Sequence, residues 1–169
     1  MTMYATVDSP LGELLLVGEE ATGTAGEVAL ASLSLPGQKG AVVVQDGWIH
    51  APEAFAGTAA QLREYFEGRL THFDIVYADG LGTAFQRRVW AALDTVPYGE
   101  TVSYGQIAER IGTPGAGVRA VGTAIGRNPL LVVRPCHRVI GADGALRGYA
   151  GGLERKEQLL GLEGALAVR

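Results

Sequence analysis

The residues best equipped for chemistry lie together in Pro135-Cys136-His137-Arg138-Val139-Ile140, and Cys136 is the only cysteine of the 169-residue chain. A thiol attacks through its thiolate, a minority species at neutral pH unless a base or cation assists. His137 is the adjacent candidate base. The stretch VVRPCHRVI reads as extended, and successive side chains of an extended segment point to opposite faces. Direct contact between neighbours is then awkward, and a bridging water is the expected link. A histidine base is usually oriented by a carboxylate; Glu154, Glu157 and Glu163, in and just after the final helical stretch, are the candidates, and spacing does not choose among them. A buried structural cysteine beside an incidental histidine fits the same residues.

Composition narrows the setting. One cysteine forms no intramolecular disulfide, and His50, His72 and His137 stand singly, so a reducing compartment and no metal site are expected. The start MTMYATVDSPLG has no basic segment followed by an apolar run, and no apolar run approaches the roughly 20 residues that cross a bilayer, so a cytoplasmic protein without membrane contact is expected. Charge is unevenly divided. Residues 1–80 hold three Lys+Arg against eleven Asp+Glu, net −8, whereas residues 81–169 hold eleven against seven, net +4. A basic second half suits a polyanion such as DNA, although two ordinary solvated surfaces would give the same figures.

Two domains, 1–80 and 81–169, follow from the pattern of elements. Tyr4–Val7 and Glu13–Val17 flank the turn residues Asp8–Gly12 and predict a hairpin, and Val28–Leu35 predicts another strand. PEAFAGTAAQLREYFEGR places Phe55, Ala59, Leu62, Tyr65 and Phe66 at helical spacing. Phe73–Tyr77 returns to strand character, which makes the first half a small α/β unit. The second half reads as helices. Thr83 and Ser103 each precede a glutamine by three residues, the spacing of a capping box, and open helices through Phe85–Leu93 and Ile107–Ile111. A glycine-containing turn and a helix over 116–126 complete a helix-turn-helix spacing. That last helix, AGVRAVGTAIG, is unusually thin, and Arg119 is its only long polar residue before Arg127. It suits close approach to a minor groove without sequence readout, or tight burial against a neighbouring helix.

PCHRVIGADGALRGYAGG, preceded by VRAVGTAIGRNP, PYGETVSYGQIA and FQRRVW, resembles the O6-alkylguanine-DNA alkyltransferases, and DSPLGELLLVG resembles the start of their first domain. The resemblance spans nearly the whole chain and is strongest after residue 80. It implies a ribonuclease-H-like α/β first domain and a mainly helical second domain with a helix-turn-helix. It implies irreversible transfer of the alkyl group of O6-alkylguanine, and of O4-alkylthymine, from double-stranded DNA to a cysteine after base flipping. Carried over, Cys136 is the acceptor, His137 the water-linked base, Glu163 the carboxylate that orients it, Asn128 the support beneath the site and Tyr149 a proton donor toward the guanine oxygen. Tyr104 would crowd the phosphate and Arg119 fill the vacated stack, with Ala116, Gly122 and Thr123 along the DNA. Tyr104, Val139, Tyr149 and Ala150 would line the base pocket. No cofactor, obligate protein partner or oligomer is implied.

Four residues depart from the family's usual types: Arg134 for an aliphatic residue, Val118 for alanine, Arg147 for a small or hydroxyl residue, and Ala150 for serine or glycine. Arg134 and Arg147 are expected to alter phosphate contacts or the pocket rim. Two other functions fit the same motifs, a non-catalytic lesion sensor or helix-turn-helix regulator, and a Cys-His-Glu hydrolase.

Overall fold

Ser9 and Gly12 set the geometry of the chain's opening. Ser9 Oγ donates to the Gly12 carbonyl at 2.7 Å and accepts from the Leu11 amide at 3.1 Å, and Gly12 takes a φ of 106°, which favours glycine. The turn joins β1 (Thr2–Ser9) to β2 (Gly12–Glu20) in an antiparallel hairpin with Ser9 opposite Gly12. The computed structural model describes residues 1–20 and 28–166. It divides into two compact units, Met1–Leu81 and Gly82–Arg169.

In the first unit β3 (Val28–Ser34) pairs antiparallel with β2, and the short β4 (Ile49–His50) lies parallel to β1, giving the order β3-β2-β1-β4. A register shift falls between Val17 and Gly18. There a Cβ would meet Val28 at 2.4 Å and the Ala29 carbonyl at 2.7 Å, so only glycine lets the strands close. A 3-10 turn over Pro52–Phe55 leads into α1 (Ala56–Phe66), and Leu14, Leu16, Leu33, Phe55, Leu62 and Tyr65 form the core. The strand expected over Phe73–Tyr77 is reduced to one bridge between Tyr77 and Leu30. Its backbone is engaged elsewhere: the Gln61 side chain donates to the Asp74 carbonyl and accepts from the Asp74 amide, both at 2.8 Å.

The second unit contains α2 (Ala84–Leu93), α3 (Tyr104–Arg110), α4 (Val118–Gly126) and α5 (Leu153–Leu162). Both capping boxes form, Thr83 with Gln86 and Ser103 with Gln106. The Trp90 indole donates to the Ala124 carbonyl at 2.9 Å and ties α2 to α4. The α-helical part of the thin helix begins at Val118 rather than Ala116, because Gly115–Gly117 form a 3-10 turn in which Gly115 has a φ of 71°. A parallel ladder of β5 (Val102–Ser103) with β6 (Val139–Ile140) joins the segment entering α3 to the segment leaving the cysteine motif.

Candidate active site

The chain before Cys136 is not extended. Val132 has a φ of 71°, rare for a β-branched residue, and the Val133 amide donates across it to the Leu131 carbonyl at 2.8 Å, which makes a strained γ-turn. A second γ-turn of opposite hand follows at Pro135, φ −81° and ψ 56°, where the Cys136 amide donates to the Arg134 carbonyl at 2.8 Å. Cys136–Arg138 then form a 3-10 turn that runs into β6. This replaces the expected strand, and Asn128 supplies the cause. Its buried side chain accepts from the Leu130 amide at 3.0 Å and donates to the Leu130 and Arg134 carbonyls, each at 3.3 Å, so the loop closes on a side chain instead of on a neighbouring strand.

The turn presents three consecutive side chains, the last two of them to one carboxylate, Glu163. Cys136 is 4% exposed and unpaired. Burial pushes its thiol up to about 11, against the opposing pull of the Asn128 side chain and the Lys156 charge. His137 is fully buried, with Nε2 2.8 Å from Glu163 Oε2. Facing a carboxylate, Nε2 carries the proton, which leaves the lone pair on Nδ1. That atom has no hydrogen-bond partner among the described residues. Burial draws the imidazole below its ordinary pKa, while Glu163 pulls it up. Arg138 Nε and Nη2 donate to the two oxygens of Glu163 at 2.7 and 3.0 Å, and Nη1 donates to the Val96 carbonyl at 2.7 Å. Of the three candidate carboxylates, Glu163 meets the histidine, and Glu154 and Glu157 lie exposed on α5.

Tyr149 and Tyr104 both lie near enough to Cys136 to feel its charge. The Tyr149 hydroxyl is buried without a hydrogen-bond partner among the described residues, and the Val132 amide points toward it without reaching hydrogen-bond geometry. Burial pushes its pKa well up, reinforced by Cys136 and Glu163. Tyr104, at the start of α3, is raised by burial and then by Cys136. The parallel ladder brings it there, since β5 ends one residue before Tyr104 and β6 begins three residues after Cys136. Val139 is fully buried in β6 and Ala150 half-buried.

Arg119 and Thr123 lie apart from this cluster, on the exposed face of α4, where the Thr123 hydroxyl donates to the Arg119 carbonyl at 3.2 Å. Val121, Ala124 and Ile125 occupy the opposite, buried face. Gly122 is half-buried, and a Cβ there would sit 3.8 Å from the Tyr104 ring. Ala116 belongs to the 3-10 turn, and its side chain lies outside the described residues. Arg147 is exposed and donates to Asp143 at 2.9 Å. Arg134 is instead 9% exposed, with its guanidinium turned to Trp90 and Asp94.

Two contributors escaped the motif-based reading. Arg138 had a signal, since an arginine inside an apolar run implies a buried counter-charge. Lys156 had another, because it shares the apolar stripe of α5 with Leu159 and Leu160. Its Nζ donates to the Arg147 and Gly148 carbonyls at 3.2 and 3.3 Å, fixing the chain that leads into Tyr149. Burial draws it down to about 8.

Residues 2–77 match the ribonuclease-like domain of 6-O-methylguanine DNA methyltransferase, and residues 84–165 match the DNA binding domain of the same family. The chain belongs to the 6-O-methylguanine DNA methyltransferase family. A methylated-DNA–protein-cysteine methyltransferase of Mycolicibacterium paratuberculosis is 54% identical over 96% of this chain and 93% of its own length. One from Methanosarcina acetivorans is 47% identical over 96% and 98%. The crystal structure of Mycobacterium tuberculosis OGT in complex with DNA is similar with a TM-score of 0.83 and 48% identity, covering 96% of this chain and 93% of that one. The fold class follows the family's two domains, a ribonuclease-like sheet unit and a helical DNA-binding unit. Among the described residues no helix is long and apolar enough to cross a membrane.

Proposed function

We propose that this protein repairs double-stranded DNA by moving the alkyl group from O6 of guanine onto Cys136, once per protein molecule. The buried His137–Glu163 contact carries the reading. With Nε2 donating to Glu163 at 2.8 Å, the imidazole keeps a free lone pair at Nδ1, the atom needed to take the thiol proton through a bridging water. The resting thiol stays protonated in its buried setting and loses its proton as the alkyl carbon approaches. The sulfur–carbon bond then forms as the carbon–O6 bond breaks; the Tyr149 hydroxyl hydrogen-bonds to the departing oxygen, and the proton that the thiol gave up to His137 passes to the guanine, so that Tyr149 ends protonated. Arg138 holds both oxygens of Glu163, so the carboxylate cannot rotate away from the imidazole.

A base inside a duplex cannot reach a thiol that is 4% exposed, so the nucleotide is rotated out of the stack. In this reading Tyr104 presses on the phosphate and Arg119, from the exposed face of α4, takes the vacated space. Gly122 and Thr123 lie along the DNA with Ala116. Val139, Tyr149 and Ala150 line the base pocket, and Asn128 supports its floor. The protein acts as a monomer in the cytoplasm, needs no cofactor, and accepts O4-alkylthymine as a second lesion. A thioether has no good leaving group, so the thiol is not regenerated.

Excess duplex containing O6-methylguanine should give one burst, with the methyl group found on Cys136 by peptide mass and guanine restored in the DNA. Cys136→Ser should abolish transfer and leave duplex binding intact, because a hydroxyl ionises far less readily than a thiol. Sustained turnover would establish a hydrolase instead, and binding without any transfer would establish a lesion sensor.

A further inference from the structure

Arg134 immediately precedes Pro135 and Cys136, and the mechanism above leaves it without a part. Its guanidinium is nevertheless held inside the second unit. The Cζ atom stands 5.1 Å from the Trp90 ring centroid, Nε is 3.6 Å from Asp94 Oδ1, and Nη1 donates to Asn128 Oδ1 at 3.5 Å. A buried cation needs such partners to offset its lost hydration. The third is the informative one. Asn128 has one oxygen and one NH2 group, and Arg134 joins the Leu130 amide in committing the oxygen to one side. The NH2 end is thereby directed to the Leu130 and Arg134 carbonyls, on the side from which the Asn128 side chain pulls the Cys136 thiol down.

We propose that Arg134 and Asp94 together set how readily the Cys136 thiol ionises. Arg134 is a positioning residue that braces the Asn128 amide and adds positive charge near the thiol, and Asp94 is the counter-charge that moderates both. The proposal rests on the reading of Cys136 as the nucleophile. Other charged or titratable groups also surround the thiol: Lys156 from α5, Tyr104 from α3, Tyr149 from the segment before α5, and His137 with its Glu163 and Arg138 partners. Asp94 is paired with Arg134, which makes the pair a separate element to vary beside those groups.

The pair predicts effects of opposite sign. Arg134→Met keeps an apolar stem over Trp90, removes the positive charge, leaves Asp94 uncompensated and leaves the Asn128 amide braced by its backbone contacts alone. The thiolate is disfavoured on every count. Asp94→Asn leaves Arg134 as an uncompensated cation and favours the thiolate. Asp94 caps the C-terminus of α2 and its side chain is 42% exposed, where loss of a negative charge is tolerated by the helix dipole. A residue serving only to hold the loop would lower stability in one or both variants and shift the thiol pKa in neither.

The test is a pH titration of thiolate ultraviolet absorbance in the full chain, taken as a difference against Cys136→Ser, with single-turnover methyl transfer from an O6-methylguanine duplex measured alongside. Arg134→Met is expected to raise the apparent thiol pKa by roughly 0.5–1 unit, about a three- to tenfold loss of thiolate at fixed pH below it. Arg134→Lys should recover part of that loss, and Asp94→Asn should lower the pKa and increase the thiolate about twofold. Shifts of one sign in both variants, or no shift in either, overturn the proposal. If the parent transfers no methyl group while the titrations shift as expected, the alkyl-transfer reading falls and the Arg134 assignment stands; normal transfer with unmoved titrations gives the reverse.

Discussion

Val132→Gly should cost far less stability than its burial suggests, whereas Val133→Gly, one residue on, should cost the full amount. Val132 is 1% and Val133 6% exposed, so both side chains are packed. Replacing valine by glycine removes three carbons, worth about 2.4 kcal/mol at about 0.8 kcal/mol each, and the added chain freedom of glycine costs roughly 0.5–1 kcal/mol more. At Val133 nothing compensates, and a loss of about 3 kcal/mol or more is expected once a cavity is included. At Val132 the φ of 71° is itself a cost to valine, of order 1–3 kcal/mol, and glycine is free of it. The net loss there should be about 1 kcal/mol. The roughly 2 kcal/mol gap between neighbours corresponds to about 1 M in urea midpoint. Trp90, 4% exposed, reports the second unit by fluorescence in a Trp48→Phe background. Equal midpoints for the two variants, or a lower one for Val132→Gly, would refute the strain argument. Methyl transfer should survive Val132→Gly, because glycine keeps the left-handed turn and the amide that faces Tyr149.

Arg119→Ala should weaken repair of duplex DNA at least tenfold, the loss of about 1.4 kcal/mol, while reaction with free O6-alkylguanine base, which needs no flipping, stays within about twofold; equal losses on both substrates would remove Arg119 from the flipping step. Cys136→Ser should gain stability over the parent as pH rises from about 9 toward 11, read as urea midpoints. In the parent the unfolded chain gives up the thiol proton near its usual 9, whereas the folded thiol holds it to about 11, so the thiol's contribution is lost across that window. Lys156 has the opposite sign in both proteins, since the folded chain releases its proton near 8 and the unfolded chain near 10.5. Parallel curves would mean that the folded thiol is already ionised.

Much of the site was legible because its first two members are adjacent: Cys136 and His137 announce a nucleophile and a base without any knowledge of the fold. Glu163 was not separable from Glu154 and Glu157 by spacing, since the choice depends on where α5 ends against the cysteine turn. Its identification came from the family resemblance, and the 2.8 Å contact agrees with it. The capping boxes and the β1–β2 hairpin were legible for the same local reason, each being settled within a few residues. Phe73–Tyr77 was not, because Gln61, thirteen residues earlier for its Asp74 contacts, takes the backbone groups a strand would have used.

The misread geometry of VVRPCHRVI bears directly on the chemistry. In a strand, Cys136 and Arg138 would point to one face and His137 to the other, so a carboxylate near the histidine would be out of reach of the arginine. The 3-10 turn advances three residues per revolution and spreads the same side chains around an axis. His137 and Arg138 therefore both reach Glu163, at 2.8 and 2.7 Å, while the thiol of Cys136 feels chiefly its own burial, Asn128, Lys156 and Arg134. The separation matters because a thiolate beside an ionised glutamate would be disfavoured, whereas one beside Asn128, Lys156 and Arg134 is helped. Local sequence favours the strand, with its valines and isoleucine. Asn128, reaching over the loop to bind both Leu130 and Arg134, holds the turn against that preference, and a polar residue six positions before Arg134 thereby decides which way the nucleophile points.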